Sequence, residues 1–254
     1  MDDRICAQLY NIREFCQTKD ALSDSLAKLS KIGYKTIQIS GIGPIDAKDV
    51  KEVADKNNME IMLTHMAGAK YEDELEKVIE DHHILGAKVA GLGSMADKYR
   101  SAEGVKLFVE KFNKIADEIS KNGLTFAYHN HSFEFYKENG KSLMDYILEN
   151  TDPDKFKLVV DVYWLAYAGI NPENFLKKYS NRLAVVHFKD LKMKLDNSSA
   201  MCEIGEGNLN WDEIISASRK STATCAAVEL DNSDKDQFES FKISYDYLKT
   251  KGFC

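Results

Sequence analysis

The sequence of 254 residues is poor in residues that interrupt or cross-link a chain. It has three prolines, and none of its five cysteines forms a C-x-x-C pair. The cysteines lie far apart, at Cys6, Cys16, Cys202, Cys225 and Cys254. Such an odd, scattered set argues against a disulfide framework or a zinc ribbon and is typical of a reducing cytosol. We therefore expect neither a disulfide-stapled fold nor a proline-rich linker.

Three other signals are missing. No run of Lys and Arg interleaved with aromatic residues appears, and the formal net charge is −7, so nucleic acid is not an expected partner. No apolar stretch approaches the roughly 18 residues of a membrane-spanning helix. The first residues, Met1 to Arg4, lack the basic-then-apolar order of a signal peptide. The sequence predicts a cytoplasmic protein without a membrane partner, and it leaves open whether a homo-oligomer forms.

What is present is a repeating pattern. Short apolar runs alternate with amphipathic helical stretches every ~25 to 30 residues, as they do in βα units. Apolar residues spaced i, i+3, i+4 and i+7 place one face of each helix against a sheet. The predicted strands are Arg4–Tyr10, Lys35–Ile39, Glu60–Thr64, Lys88–Leu92, Thr125–His129, Lys157–Val160, Leu183–His187 and Ala226–Glu229.

Eight such units can close as a barrel or lie open as a doubly wound sheet. An open sheet usually carries a glycine-rich phosphate loop after its first strand. Here the first strand runs into Tyr10-Asn11-Ile12-Arg13-Glu14, which contains no glycine. We therefore predict a single (β/α)₈ TIM-barrel domain over residues 1–254.

Polar side chains recur at the predicted C-terminal ends of the later strands, where barrel enzymes build their sites. Asp161 follows Glu134 by 27 residues, and His187 follows Asp161 by 26, so each step is one βα unit. Glu229 comes 42 residues after His187. The excess of about 16 residues matches the polar stretch Leu191–Glu206, which we interpret as a functional loop over the barrel mouth.

These four residues form a hard set of oxygen and nitrogen ligands. Such a set suits Mn²⁺, Mg²⁺, Co²⁺ or Zn²⁺. Each residue also has a structural interpretation: Asp161 can cap the following helix, and His187 can be a hydrogen-bonded core histidine. A buried, unpaired Glu229 at the end of an apolar strand is harder to explain without a ligand. All four residues recur at the predicted C-terminal ends of successive strands, and this arrangement favours a site for one divalent metal ion.

Five motifs lie behind this pattern: Tyr128-His129-Asn130-His131-x2-Glu134-Phe135, Asp161-Val162-Tyr163-Trp164, His187-Phe188-Lys189-Asp190, Gly205-Glu206-Gly207-x3-Trp211 and Val228-Glu229-x-Asp231. Together they resemble the sugar phosphate isomerase/epimerase family. The resemblance covers nearly the whole chain and implies a xylose-isomerase-like TIM barrel acting on a small carbohydrate.

The resemblance implies that Glu134, Asp161, His187 and Glu229 hold the metal ion. The chain departs from the family pattern in strand five, where many relatives have a glutamate and this sequence has Tyr128-His129-Asn130-His131. His129 or His131 is therefore an alternative to Glu134 as a ligand. Trp164 stands where many epimerases have a histidine, and we expect it either to stack on a sugar or to pack in the core.

On this basis we expect proton transfer next to a carbonyl through an enediolate. Glu134 and Glu229 would exchange the proton as a carboxylate pair, which gives an isomerase or epimerase of carbohydrate metabolism. The residues expected to contact substrate are His65, His129, His131, Trp164, Lys189 and Glu203.

Three other functions fit the same scaffold. A metal-dependent lyase or dehydratase would remove the proton and then expel a hydroxyl group. A DNA-repair endonuclease would need several metal ions and a basic face, which the acidic charge opposes. A non-catalytic sugar-binding relative would have lost the glutamate pair. Because no phosphate-binding glycine loop follows strands seven and eight, a free sugar or ketone is at least as plausible a substrate as a phosphate ester.

Overall fold

The short apolar strands pair in parallel and close into an eight-stranded barrel in the computed structural model, which describes residues 1–254. In chain order the barrel strands are β1 (Ile5–Gln8), β2 (Thr36–Ile39), β3 (Glu60–Met66), β4 (Val89–Leu92), β5 (Thr125–His129), β6 (Phe156–Asp161), β7 (Leu183–Phe188) and β8 (Cys225–Val228). Each strand pairs with its neighbour in sequence, and β8 pairs with β1. The predicted (β/α)₈ barrel is confirmed.

Helices surround this barrel and none of them combines the length and apolar character needed to cross a membrane. They are α1 (Lys19–Ile32), α2 (Ala47–Lys56), α3 (Gly68–Asp73), α4 (Leu75–Leu85), α5 (Ala102–Lys121), α6 (Leu143–Asn150), α7 (Val162–Tyr167), α8 (Pro172–Lys178), α9 (Trp211–Arg219) and α10 (Gln237–Thr250). Short 3₁₀ helices lie at Leu9–Phe15, Asp97–Tyr99, Phe133–Phe135 and Ser180–Arg182.

The longest helix, α5, shows how the sequence sets these elements. Ser101 caps its first turn by accepting a hydrogen bond from the Gly104 N–H at 2.9 Å. Phe108 and Phe112, one turn apart, are both buried and their ring centroids lie 4.5 Å apart. The helix stops before Gly123, whose φ of +73° suits glycine and ends the turn.

The interior of the barrel is apolar at one end and polar at the other. A separate cluster of nine buried side chains fills the end formed by the strand N-termini. These residues are Cys6, Leu63, Val89, Ala127, Val159, Ala184, Val185, Cys225 and Ala227. Strand side chains alternate with a period of two. The inward-facing residues nearer the strand C-termini therefore include the polar Gln8, His65, His129, Asp161, His187 and Glu229.

The predicted strand ends agree with the structure to within two residues, and two segments differ in their local structure. Strand β1 ends at Gln8 rather than Tyr10, because the Gln8 side chain accepts a hydrogen bond from the Tyr10 N–H and starts the 3₁₀ helix Leu9–Phe15. The predicted loop Leu191–Glu206 is largely an antiparallel hairpin, in which Asp190–Met193 pairs with Ser199–Cys202.

Asp190 fastens this hairpin to the end of β7. Its side chain is fully buried and accepts hydrogen bonds from the backbone N–H groups of Gly205 at 2.9 Å and Gly207 at 3.1 Å. It also accepts a bond from the indole N–H of Trp211 at 2.6 Å. A Cβ atom at residue 207 would lie 2.2 Å from an oxygen of Asp190, so only glycine allows this approach. One carboxylate thus holds the start of the hairpin segment, which leaves the barrel after β7, together with its end at Gly205 and Gly207.

Replacing Asp190 by Ala should destabilise the protein, because several buried N–H donors lose their acceptor. We expect a loss of at least about 3 kcal/mol in the free energy of unfolding, since each unsatisfied buried donor costs ~1–3 kcal/mol. Urea denaturation followed by circular dichroism measures this change. As a control, Asp196→Ala in the exposed turn of the same hairpin should cost less than about 1.5 kcal/mol. Equal losses in the two variants would contradict the role of Asp190.

Candidate active site

Four buried side chains converge at the polar end of the barrel. They are His129 on β5, Asp161 at the end of β6, His187 on β7 and Glu229 directly after β8. Each offers one ligand atom, and these four atoms all lie within 4.8 Å of one another. Three of the four predicted ligands are therefore brought together, and His129 completes the group in place of Glu134.

His129 is oriented by the backbone of the neighbouring strand. Its Nδ1 lies 3.0 Å from the carbonyl oxygen of Gly93, which can only accept a hydrogen bond, so Nδ1 carries the proton. Its Nε2 then faces the group, 3.5 Å from Asp161 Oδ2 and 3.7 Å from Glu229 Oε2. This nitrogen is buried and has no hydrogen-bond partner.

His187 also has one nitrogen bonded away from the group. Its Nε2 lies 2.8 Å from Gln38 Oε1 across the barrel, and its Nδ1 lies 2.6 Å from Glu229 Oε2. Glu229 Oε2 therefore faces a nitrogen of both imidazoles. The group consists of imidazole nitrogens and carboxylate oxygens, which are the atoms that bind divalent cations in proteins.

Asp161 combines the two roles that the sequence left open. Its Oδ1 accepts hydrogen bonds from the Tyr163 and Trp164 N–H groups at 2.8 and 3.1 Å, which caps helix α7. Its Oδ2 is buried without a partner and faces the group. A helix cap that leaves one carboxylate oxygen free holds that oxygen rigidly in place.

The donor set fits a divalent metal ion. Two orphaned buried atoms, His129 Nε2 and Asp161 Oδ2, lie in the same small space as His187 and Glu229. Buried polar atoms without partners are costly, and a cation bound by all four residues would satisfy them. Two imidazole nitrogens and two carboxylate oxygens suit Mn²⁺, Co²⁺ or Zn²⁺ better than Mg²⁺, which prefers oxygen ligands.

Glu134 lies apart from this group, which corrects the predicted placement. The Tyr128 hydroxyl donates to one oxygen of Glu134, and the His131 N–H donates to the other at 2.9 Å. Tyr128 packs against Phe108, on the helix-facing side of β5. Burial raises the pKa of Glu134 to about 7, against the lowering effect of the Tyr128 hydrogen bond. Its carboxylate fixes the chain after β5 rather than facing the mouth.

Lys189 places a buried positive charge beside the two carboxylates. Its Nζ lies 2.8 Å from Asp231, 3.6 Å from Asp161 and 3.8 Å from Glu229. Burial alone would lower the pKa of Lys189, but Glu229, Asp161 and Asp231 together raise it above the ordinary value. The ammonium group therefore stays charged.

The same network separates the pKa values of two carboxylates. Burial would raise the pKa of Glu229, but the ammonium group of Lys189 holds it well below its usual value. The pKa of Asp231 is raised, first by burial and then by the negative charge of Glu229. Glu229 is thus the stronger acid and stays ionised, whereas Asp231 holds a proton more readily.

A cavity of about 380 Å³ opens above this group. His65 and His131 line it, each with a buried ring nitrogen that has no partner. Burial and the neighbouring His129 lower the pKa of both imidazoles, to about 2 for His131, so both are neutral. The lining also includes Tyr10, Ser40, Ser94, His129, Trp164, Lys189, Glu229 and Asp231. Of the residues expected to contact substrate, all except Glu203 face this cavity.

Glu203 lies outside the cavity, which is a second correction. It is buried and accepts hydrogen bonds from the hydroxyl groups of Ser233 and Ser240 at 3.0 and 2.7 Å. Lys235 lies 2.9 Å away. Burial would raise the pKa of Glu203, but Lys235 and Ser240 hold it at about 2. Glu203 pins the hairpin to the loop after β8.

Two further residues, Asp231 and Gln38, contact residues of the site. The sequence analysis predicted no role for either of them. Asp231 could have been found from its spacing, because it follows the inward-facing Glu229 by two residues. Gln38 could not, since its partner His187 lies on a strand that is not its neighbour.

Comparison with known proteins agrees with the fold. A family model described as "Xylose isomerase-like TIM barrel" matches residues 26–251. A curated inosose dehydratase from Clostridium beijerinckii is 24% identical over 217 residues, which cover 75% of this chain and 72% of the relative. Matches to two further inosose dehydratases, from Clostridium botulinum and Lacticaseibacillus casei, cover 66% and 63% of those relatives.

Solved structures share the barrel. A sugar phosphate isomerase/epimerase from Parabacteroides distasonis superposes with a TM-score of 0.77 at 24% identity, covering 97% of this chain and 94% of that one. A xylose isomerase-like TIM barrel protein from Mycobacterium smegmatis in complex with magnesium gives a TM-score of 0.76 at 16% identity, covering 98% and 97%. At these identities the likeness concerns the fold.

The geometry predicts that metal binding depends on His129 and not on Glu134. His129→Leu should weaken Co²⁺ binding by more than about 100-fold, or about 2.7 kcal/mol, because one of four donors is lost. Glu134→Gln keeps the shape and one acceptor oxygen of a side chain that lies outside the four-donor group, so it should change the Kd by less than about threefold. Isothermal titration of both variants measures this difference. Weaker binding in Glu134→Gln than in His129→Leu would restore Glu134 as the ligand.

Proposed function

The chain belongs to the xylose isomerase-like TIM barrel family, and we propose that it is a metal-dependent dehydratase acting on an uncharged polyhydroxy ketone. The observation that carries this proposal is the placement of the four-donor group directly beside Lys189 and Asp231 in one polar cavity. The name of the inosose dehydratase relatives supports the same class of reaction.

His129, Asp161, His187 and Glu229 would hold the ion. When bound, it supplies a Lewis acid that polarises the ketone oxygen next to the proton that is removed. An ion of the first transition row, such as Mn²⁺, Co²⁺ or Zn²⁺, suits this donor set.

Glu229 and Asp231 supply the base and the acid. Two titratable groups whose surroundings push their pKa values apart are suited to opposite roles in proton transfer. Glu229, the ionised carboxylate, would take the proton from the carbon next to the ketone. Asp231, whose pKa is raised, would give a proton to the departing hydroxyl group. Loss of H⁺ and OH⁻ from neighbouring carbons releases water and leaves an unsaturated ketone.

Lys189 would stabilise the negative charge that develops on the substrate oxygen. Its ammonium group stays protonated, is 1% exposed and lies within 4 Å of both Glu229 and Asp231. A fixed positive charge in a water-poor site stabilises such charge much more than it would in water. The role of Lys189 is therefore electrostatic, and it does not need to transfer a proton.

Elimination fits the cavity better than epimerisation by a glutamate pair. Epimerisation needs a second proton donor on the face opposite the base, and the residue expected there was Glu134. Glu134 instead bonds to Tyr128 and His131 outside the cavity. Isomerase or epimerase activity stays the second candidate, because Asp231, whose pKa is raised, lines the same cavity and could return a proton to carbon.

The substrate is expected to carry no phosphate. Lys189 is the one ammonium group in the cavity lining, and three carboxylates already surround it. His65 and His131 are neutral, and no arginine lines the cavity. The lining offers many hydrogen-bonding groups and the face of Trp164, which suit hydroxyl groups and a carbon ring. A neutral cyclic or open-chain polyol ketone satisfies these groups.

Incubation with an inosose in D₂O should give a dehydrated, unsaturated product. Proton NMR and ultraviolet absorbance follow the product, and the same assay with a panel of neutral ketoses and their phosphate esters tests the substrate class. We expect turnover of neutral compounds only. Deuterium in recovered substrate or its epimer, without an unsaturated product, would instead establish the isomerase or epimerase reaction.

Asp231→Asn should lower kcat by about 10²- to 10⁴-fold, the usual contribution of a general acid or base. The Kd for the metal ion should stay unchanged, because Asp231 lies outside the four-donor group. Asp234→Asn, an exposed neighbour three residues later, serves as the control and should keep the parent kcat. A parent-like kcat in Asp231→Asn would exclude its role as the acid.

A further inference from the structure

We propose that Gln38 is a positioning residue that sets which nitrogen of His187 faces the metal ion. This inference rests on the metal centre of the proposed function. Gln38 lies on β2, is fully buried and is not part of the four-donor group. Its Oε1 lies 2.8 Å from His187 Nε2. It is the side chain that bonds to His187 from outside the group.

The backbone around Gln38 directs its side chain across the barrel. The pairing register between β2 and β3 shifts at Gln38, because Ile37 pairs with Ile61 while Gln38 pairs with Leu63. The extra residue of this irregularity, Met62, lies on β3, and Gln38 faces the barrel interior beside the inward-facing Leu63. Such irregularities concentrate near active sites. Strand β7, which carries His187, is separated from β2 by β1 and β8. The bond therefore spans the barrel interior.

The bond determines the tautomer of His187. An amide oxygen only accepts, so it holds the proton on Nε2 and leaves the lone pair on Nδ1. That Nδ1 lies 2.6 Å from Glu229 Oε2, inside the group. Metal-ligating histidines almost always donate their other N–H to such an acceptor, which fixes the ring and makes the ligating nitrogen more basic.

His129 is arranged in the same way by a different acceptor. Its Nδ1 faces the carbonyl oxygen of Gly93 at 3.0 Å, and its Nε2 faces Asp161 and Glu229. Both imidazoles of the group therefore give one N–H to an amide oxygen and turn the other nitrogen inward. For His129 the acceptor is backbone. For His187 the acceptor is the side chain of Gln38, so a substitution at residue 38 can remove it.

Gln8 provides a matched control. It lies on β1 directly beside Gln38 in the sheet register and is equally buried. Its Oε1 accepts from the backbone N–H of Tyr10 at 3.2 Å rather than from an imidazole. Replacing either glutamine by leucine removes a buried amide from the same layer of the barrel, but only one replacement frees His187.

The experiment titrates metal-stripped protein with Co²⁺ and follows its visible d–d absorption, which reports both affinity and the ligand set. Gln38→Leu should raise the Kd for Co²⁺ by about 10- to 100-fold, the usual cost of losing a partner of a ligating histidine. Gln38→Glu keeps an acceptor, so its Kd should equal or fall below that of the parent. Gln8→Leu should bind within about threefold of the parent.

Two results would overturn the role of Gln38. One is a Gln38→Leu Kd no weaker than that of Gln8→Leu. The other is a Gln38→Glu Kd closer to that of Gln38→Leu than to the parent value, which would mean that Gln38 donates to His187. Circular dichroism of each stripped variant checks that it folds. Absence of Co²⁺ binding by the parent chain would instead refute the metal centre of the proposed function.

Discussion

The alternation of side chains along a closed parallel sheet is the constraint on which the site depends. Four inward-facing apolar residues near the strand N-termini are each followed, two residues later, by a member of the four-donor group: Ala127 by His129, Val159 by Asp161, Val185 by His187 and Ala227 by Glu229. Strand pairing places these steps side by side, since Asp161 lies opposite His187 and Ala227 also pairs with His187. The packed apolar layer thus lies directly below the four donor side chains and fixes their position along the strands and their direction.

The apolar layer also excludes water from the site, so interactions between the charged side chains above it are strong. Asp161 and Glu229 are nearly or fully buried, so water screens their charges little, and isolated buried carboxylates would be very costly. Lys189 offsets part of this cost, while burial and the negative charge of Glu229 raise the pKa of Asp231. A group that tolerates burial only with a cation nearby is suited to hold one. The same low dielectric lets a single ammonium group act strongly on substrate charge.

Much of this organisation could be predicted from the sequence, because it follows from local periodicity. The eight strands, the barrel and the convergence of Asp161, His187 and Glu229 depend on spacing by one βα unit. Glu134 was expected in the group as the nearest carboxylate, yet it lies beyond the end of β5, in the 3₁₀ helix Phe133–Phe135, and it bonds to Tyr128 instead. The alternation of side chains along β5 would have favoured His129, because it follows the inward-facing Ala127 by two residues. Glu203 and Gln38 depend on contacts between distant segments, which no spacing along the chain reveals.

The attachment of the hairpin at Asp190 has a consequence for how such a barrel diversifies. The carboxylate binds the N–H groups of Leu191, where the excursion leaves the barrel, and of Gly205 and Gly207, where it returns. The tip between these points can therefore lengthen, shorten or change composition while His187 and Lys189, just before the anchor, keep their places. Substrate preference can then change through substitutions in the hairpin tip, while the residues that carry out the reaction stay the same.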